Sequence, residues 1–95
     1  MTGNTLREFM DDLLQMGGPE KEFTFREKKF FLETTYDRNS EMFKLELVEY
    51  NQNNERVSQF FGKSFSECVS KFEQSPLFDG LTIYEAESEI KVLFG

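Results

Sequence analysis

The chain contains no histidine, no tryptophan and a single cysteine, Cys68. Without histidine the commonest general base is missing. Ser-His-Asp and Cys-His nucleophile systems cannot be assembled within one chain. A lone cysteine rules out an internal disulfide, and zinc needs His and Cys ligands in number. Glycine and proline are sparse, at 6 and 2. No glycine-rich phosphate loop occurs, because Gly17-Gly18-Pro19 follows a helix pattern instead of preceding one. Basic residues are outnumbered, with 11 Lys+Arg against 18 Asp+Glu, a formal net charge of -7. That sign opposes phosphate backbones and anionic membranes, so neither direct nucleic-acid binding nor membrane binding is expected. No apolar run approaches the length of a membrane span. Met1-Thr2-Gly3-Asn4 shows no basic region leading into an apolar run, so no signal peptide is expected and the location expected is cytoplasmic.

What is present is phenylalanine, 12 of 95 residues, with 3 tyrosines. That size suits one domain, burying about 60–65 % of the surface its unfolded chain exposes. The aromatic content supports a folded core.

Leu6, Phe9, Met10, Leu13 and Leu14 recur at helical spacing. Thr5 with Glu8 reads as a capping box, and Gly17-Gly18-Pro19 as the stop, giving a helix over about residues 5–16. Phe23 and Phe25 alternate with polar residues, and Glu27-Lys28-Lys29 reads as a turn. Phe30, Leu32, Thr34 and Tyr36 alternate with Phe31, Glu33 and Thr35. Asp37-Arg38-Asn39-Ser40 is a turn cluster. Phe43, Leu45 and Leu47 share one strand face, with Lys44 and Glu46 on the other. Asn51-Gln52-Asn53-Asn54 is a polar turn, and Val57 to Phe61 a short strand ending at Gly62.

Ser64 with Glu67 caps a second helix carrying Phe65, Cys68, Val69 and Phe72, with Pro76 beyond it. Asp79-Gly80 is a turn. Thr82 and Glu85 fit the start of a short helix over residues 83–87, while Leu81 to Tyr84 also fits a strand. Ile90, Val92 and Phe94 suit a last strand. The predicted fold is one α+β domain, order α-β-β-β-β-α-β. It has a four- or five-stranded, mainly antiparallel meander with two helices on one face.

Two features point to binding. Pro76 to Gly95 carries Asp79, Glu85, Glu87 and Glu89 against Lys91 alone. If extended, the three glutamates project to one side about 6–7 Å apart, close to the phosphate spacing of a nucleic-acid strand. Tyr84 would anchor the contact. In a helix that alignment is lost, and a solvated edge is the plain alternative. The second feature is the pairs Phe30-Phe31 and Phe60-Phe61. One of each points away from the main core, unless both sheet faces are covered. Asp11-Asp12 and Glu85, Glu87 and Glu89 are the carboxylates open to hydrolytic or oxygen-ligated metal chemistry. Asp11 and Asp12 lie opposite the apolar stripe and read as solvated. No cofactor or metal is expected.

Gly62-Lys63-Ser64-Phe65-Ser66-Glu67-Cys68, Pro76-Leu77-Phe78-Asp79-Gly80 and Glu87-Ser88-Glu89-Ile90 resemble segments of small accessory proteins of Gram-positive phages and mobile elements. The resemblance covers about a third of the chain and rests mostly on caps and turns. The order of elements is similar to that of anti-CRISPR proteins among small acidic phage proteins. The expected function is a non-catalytic interaction protein, an inhibitor or regulator occupying a basic surface of a nucleic-acid-handling partner. The alternative is a small-ligand or structural module that self-associates through its sheet, as a homodimer.

Overall fold

The computed structural model describes residues 1–15 and 20–94. Thr5 starts α1 (Leu6–Asp12) by accepting a hydrogen bond at its hydroxyl from the Glu8 N–H. The reciprocal half of that box is replaced, since Asn4 Oδ1 takes the Thr5 N–H. The expected helix ran to residue 16. Leu13 already serves as the C-cap, and Gly17-Gly18-Pro19 lies outside the described residues.

The strands are β1 (Lys21–Phe25), β2 (Lys28–Asp37), β3 (Met42–Asn51), β4 (Asn54–Gly62) and β5 (Ile90–Phe94). They form one antiparallel sheet of order β4-β3-β2-β1-β5. The first turn is tighter than the sequence suggests. Phe25 pairs with Lys28, so Lys28 and Lys29 belong to β2 and only Arg26 and Glu27 turn the chain. Both have positive φ, 47° and 67°, as a two-residue hairpin loop demands. Asn or Gly usually marks such a loop, and neither is there.

Ser64 caps α2 (Phe65–Glu73), and Lys63 N–H donates to Glu67. Thr82 and Glu85 form a complete capping box on α3 (Ile83–Ala86), followed by a 3-10 turn, Glu87–Glu89. The helical option for residues 83–87 is therefore the one realised, and a third helix joins the two expected.

One face of the sheet carries Phe23, Phe25, Phe30, Leu32, Leu45, Leu47 and Ile90, all buried. Phe9, Leu13, Cys68, Val69, Phe72, Ile83 and Ala86 from the helices pack into the same core. Phe78 sits at its centre, with ring centroids 5.0 Å from Phe30, 5.8 Å from Phe25 and 6.0 Å from Phe23. Lys21 shares this face and is fully buried, its ammonium paired with Asp12 and 5.4 Å from the Phe9 ring centroid. Asp12 thus has a structural partner and is not simply solvated, which corrects the expectation for it. Among the described residues no helix is long and apolar enough to cross a membrane.

Candidate functional site

The C-terminal carboxylates do not form a row. Glu85 is consumed locally, because its Oε1 accepts the Thr82 N–H at 3.0 Å to close the capping box. Glu87 and Glu89 follow in the 3-10 turn, so the extended spacing is lost. Glu89 is held by Arg26, with Nε 3.0 Å from Oε1 and Nη2 2.8 Å from Oε2. Asp79 pairs with Lys28 and lies 3.7 Å from Arg26 Nη1. The Lys28 hydrogen bond, with the charges of Lys28 and Arg26, holds the Asp79 carboxyl below its ordinary value. The Arg26 hydrogen bond does the same for Glu89. Tyr84 is exposed, and its hydroxyl donates to Glu73 Oε2 at 2.6 Å, which raises its pKa. It also borders a depression of about 330 Å³ with Leu6, Arg7, Met10 and Asp11. The structure therefore brings Asp79 and Glu89 together around Arg26. Glu85 and Tyr84 are engaged with Thr82 and Glu73 instead, and Glu87 lies in the 3-10 turn.

The opposite sheet face is built differently. Strand alternation sends Phe30 and Phe60 toward the helices, and Phe31 and Phe61 away. Phe30 is fully buried and Phe60 packs against the core, while Phe61 is 37 % exposed. Register places Glu22, Phe31, Val48 and Val57 in one cross-strand row. The neighbouring row is Glu33, Glu46 and Gln59, and the next is Thr35, Lys44 and Phe61. No helix lies over these rows among the described residues, since the helical core residues all join the other face.

Glu33 and Glu46 stand directly opposite each other. Like charges in that position repel. Burial raises the Glu33 pKa first, then a hydrogen bond with the Glu20 side chain, then the charges of Glu20 and Glu46; Lys44 opposes them. Glu46 accepts from Gln59 Nε2 at 2.7 Å and has Lys44 Nζ at 3.6 Å. At one end of the face Glu22, Lys29, Phe31 and Tyr50 line a depression of about 350 Å³. Among the described residues no group of three or more acidic or cysteine side chains is arranged to hold a metal ion.

The sequence predicts one outward-facing member in each of the pairs Phe30-Phe31 and Phe60-Phe61, and the structure makes them Phe31 and Phe61; Glu20, Glu33, Glu46, Val48 and Val57 were not among the expected site residues. The signal was present for the strand residues, Glu33 and Glu46 as the polar half of their alternations and Val48 and Val57 as apolar residues out of step with theirs. What was not readable is which of those positions fall opposite one another. No protein-family model matches this chain, and no curated protein or solved structure matches it either.

Proposed function

We propose that this chain is a non-catalytic interaction protein that takes a basic, partly apolar segment of a partner protein onto the open face of its sheet. The observation that carries the reading is the opposed pair Glu33 and Glu46 beside the row Phe31, Val48 and Val57. A lysine or arginine inserted between the two carboxylates removes their mutual repulsion. Phe31 and Val57 supply area to bury, Val48 being buried already between them, and the surrounding polar residues form the rim. The net charge of -7 steers basic partners toward the molecule. Nucleic-acid-handling proteins carry basic surfaces, and covering a segment of one is how an inhibitor or regulator would act. The contact residues in this reading belong to β2, β3 and β4, not to the C-terminal glutamates.

Titration of the labelled protein with a short peptide alternating Arg and Leu tests this. Amide shifts should concentrate on residues 31–35, 44–48 and 57–61 and should weaken as salt rises. Glu33→Lys should abolish them, while Glu87→Lys should leave them in place. Shifts centred on residues 79–89 would reject the reading.

A further inference from the structure

The two edges of the sheet are finished differently. At the β5 edge Thr2 bridges to the strand, donating its N–H to Ile90 O at 2.9 Å and accepting from Val92 N at 2.8 Å. At the β4 edge no strand or bridge pairs with the outer side among the described residues. The register of β4 runs without a break from Asn54 to Gly62. It contains no proline, lysine or bulge; its charged residues are Glu55 and Arg56, both at the end nearest the turn.

The hairpin turn decides which backbone groups are free. Asn51 pairs with Asn54 across the two-residue loop Gln52-Asn53. In such a hairpin hydrogen-bonded pairs alternate from the turn outward. Asn54, Arg56, Ser58, Phe60 and Gly62 therefore bond to β3. Glu55, Val57, Gln59 and Phe61 turn their N–H and C=O groups away. Lys71 confirms the direction, because its Nζ donates to Phe61 O at 2.6 Å from outside the hairpin. That bond also takes Phe61 out of the free edge. What remains is Glu55, Val57 and Gln59, a ladder symmetric about Val57.

We propose that a second copy of this chain pairs with this edge, antiparallel, with Val57 on the two-fold axis. Val57 then faces Val57 of the second copy, Glu55 faces Gln59, and Arg56 faces Ser58. No like charges meet, and about six backbone hydrogen bonds form. The neighbouring registers fail. A slip toward the turn sets Arg56 against Arg56, and a slip the other way needs the Phe61 carbonyl that Lys71 holds. The chosen register also runs the Phe31, Val48 and Val57 row straight into its counterpart. Two copies thus share one continuous sheet, an isologous contact. Each carries a net charge of -7, so salt strengthens the pairing by screening repulsion. A basic partner on the open face shows the opposite salt dependence, so the two readings fail separately.

Sedimentation velocity on the full chain, from about 10 μM to about 1 mM and at about 20 mM and about 500 mM salt, reads the equilibrium. The expected result is a dimer fraction that rises with concentration and with salt. Val57→Pro removes an outward N–H without touching the bonds to β3, and Val57→Lys adds a charge at the axis. Each should weaken pairing by about tenfold or more. Val57→Cys should oxidise in air to a covalent dimer, since facing Cα atoms lie about 5.5 Å apart. Gln59→Cys should not, being about 14 Å from its equivalent. Cys68 is fully buried and does not compete. A monomer under every condition, association indifferent to both Val57 variants, or equal cross-linking of the two cysteine variants would each overturn the proposal.

Discussion

Arg26 grips Glu89 with two nitrogens, Nε at 3.0 Å and Nη2 at 2.8 Å, joining the first hairpin turn to the 3-10 turn that precedes β5. The residues are 63 positions apart in the chain. The contact neutralises a carboxylate that the sequence offers as a binding group, and it gives the C-terminal strand a fixed point of entry.

Arg26→Ala should lower the thermal midpoint at neutral pH. The pKa values of Asp79 and Glu89 are depressed in the folded state. Their contribution is therefore present above the ordinary carboxylate range and is lost as pH falls through the folded values. The gap between wild type and variant should shrink on going from pH 7 to about pH 2.5. These groups face solvent, so screening keeps the effect small. Thermal scans across that range check the sign.

Glu33→Gln should act in the opposite sense. Its pKa is raised, so ionised Glu33 weakens the fold above its folded value and stops doing so below the ordinary one. The variant should gain about 0.5 kcal/mol at pH 7, the order of one opposed like-charge pair, and nothing near pH 3. Urea midpoints at the two pH values decide it.

Phe78→Ala should be the most damaging single truncation, at about 3–5 kcal/mol. Phe78 is fully buried and its ring meets those of Phe23, Phe25, Phe30 and Phe72. The surrounding rings belong to both the sheet and α2, so neither layer can close the hole alone. Chemical denaturation followed by near-ultraviolet circular dichroism measures the loss.

Cys68 should resist thiol reagents in the native protein and react quickly once unfolded. It is fully buried, its Sγ donates to Phe43 O at 3.3 Å, and burial raises its pKa. Labelling followed by mass spectrometry, with and without denaturant, reads the difference. Rapid native labelling would contradict this account.

The helix starts were legible because caps are local. Thr5, Ser64 and Thr82 each accept a bond from a residue three positions on. The strands were legible because Phe23, Phe25, Phe30, Leu32, Phe43, Leu45 and Leu47 alternate with polar neighbours. The Arg26-Glu27 turn was not, since its residue types carry no preference for positive φ and the register of Phe25 with Lys28 imposes the bend. Lys21 was not legible as a buried residue either. Its charge is tolerable only because α1 brings Asp12 to it.

By itself, then, the sequence determined the class of fold, the order of elements and the sign of the molecule's charge. Periodicity and caps act within a few residues, and the charge follows from counting, which needs no structure. Only the tertiary structure decided which carboxylates stay available. Strand order and register carry Arg26 and Lys28 to Asp79 and Glu89, and set Glu33 against Glu46 beside an apolar row. Pairing across strands joins positions far apart in the chain, and no local pattern encodes which ones meet.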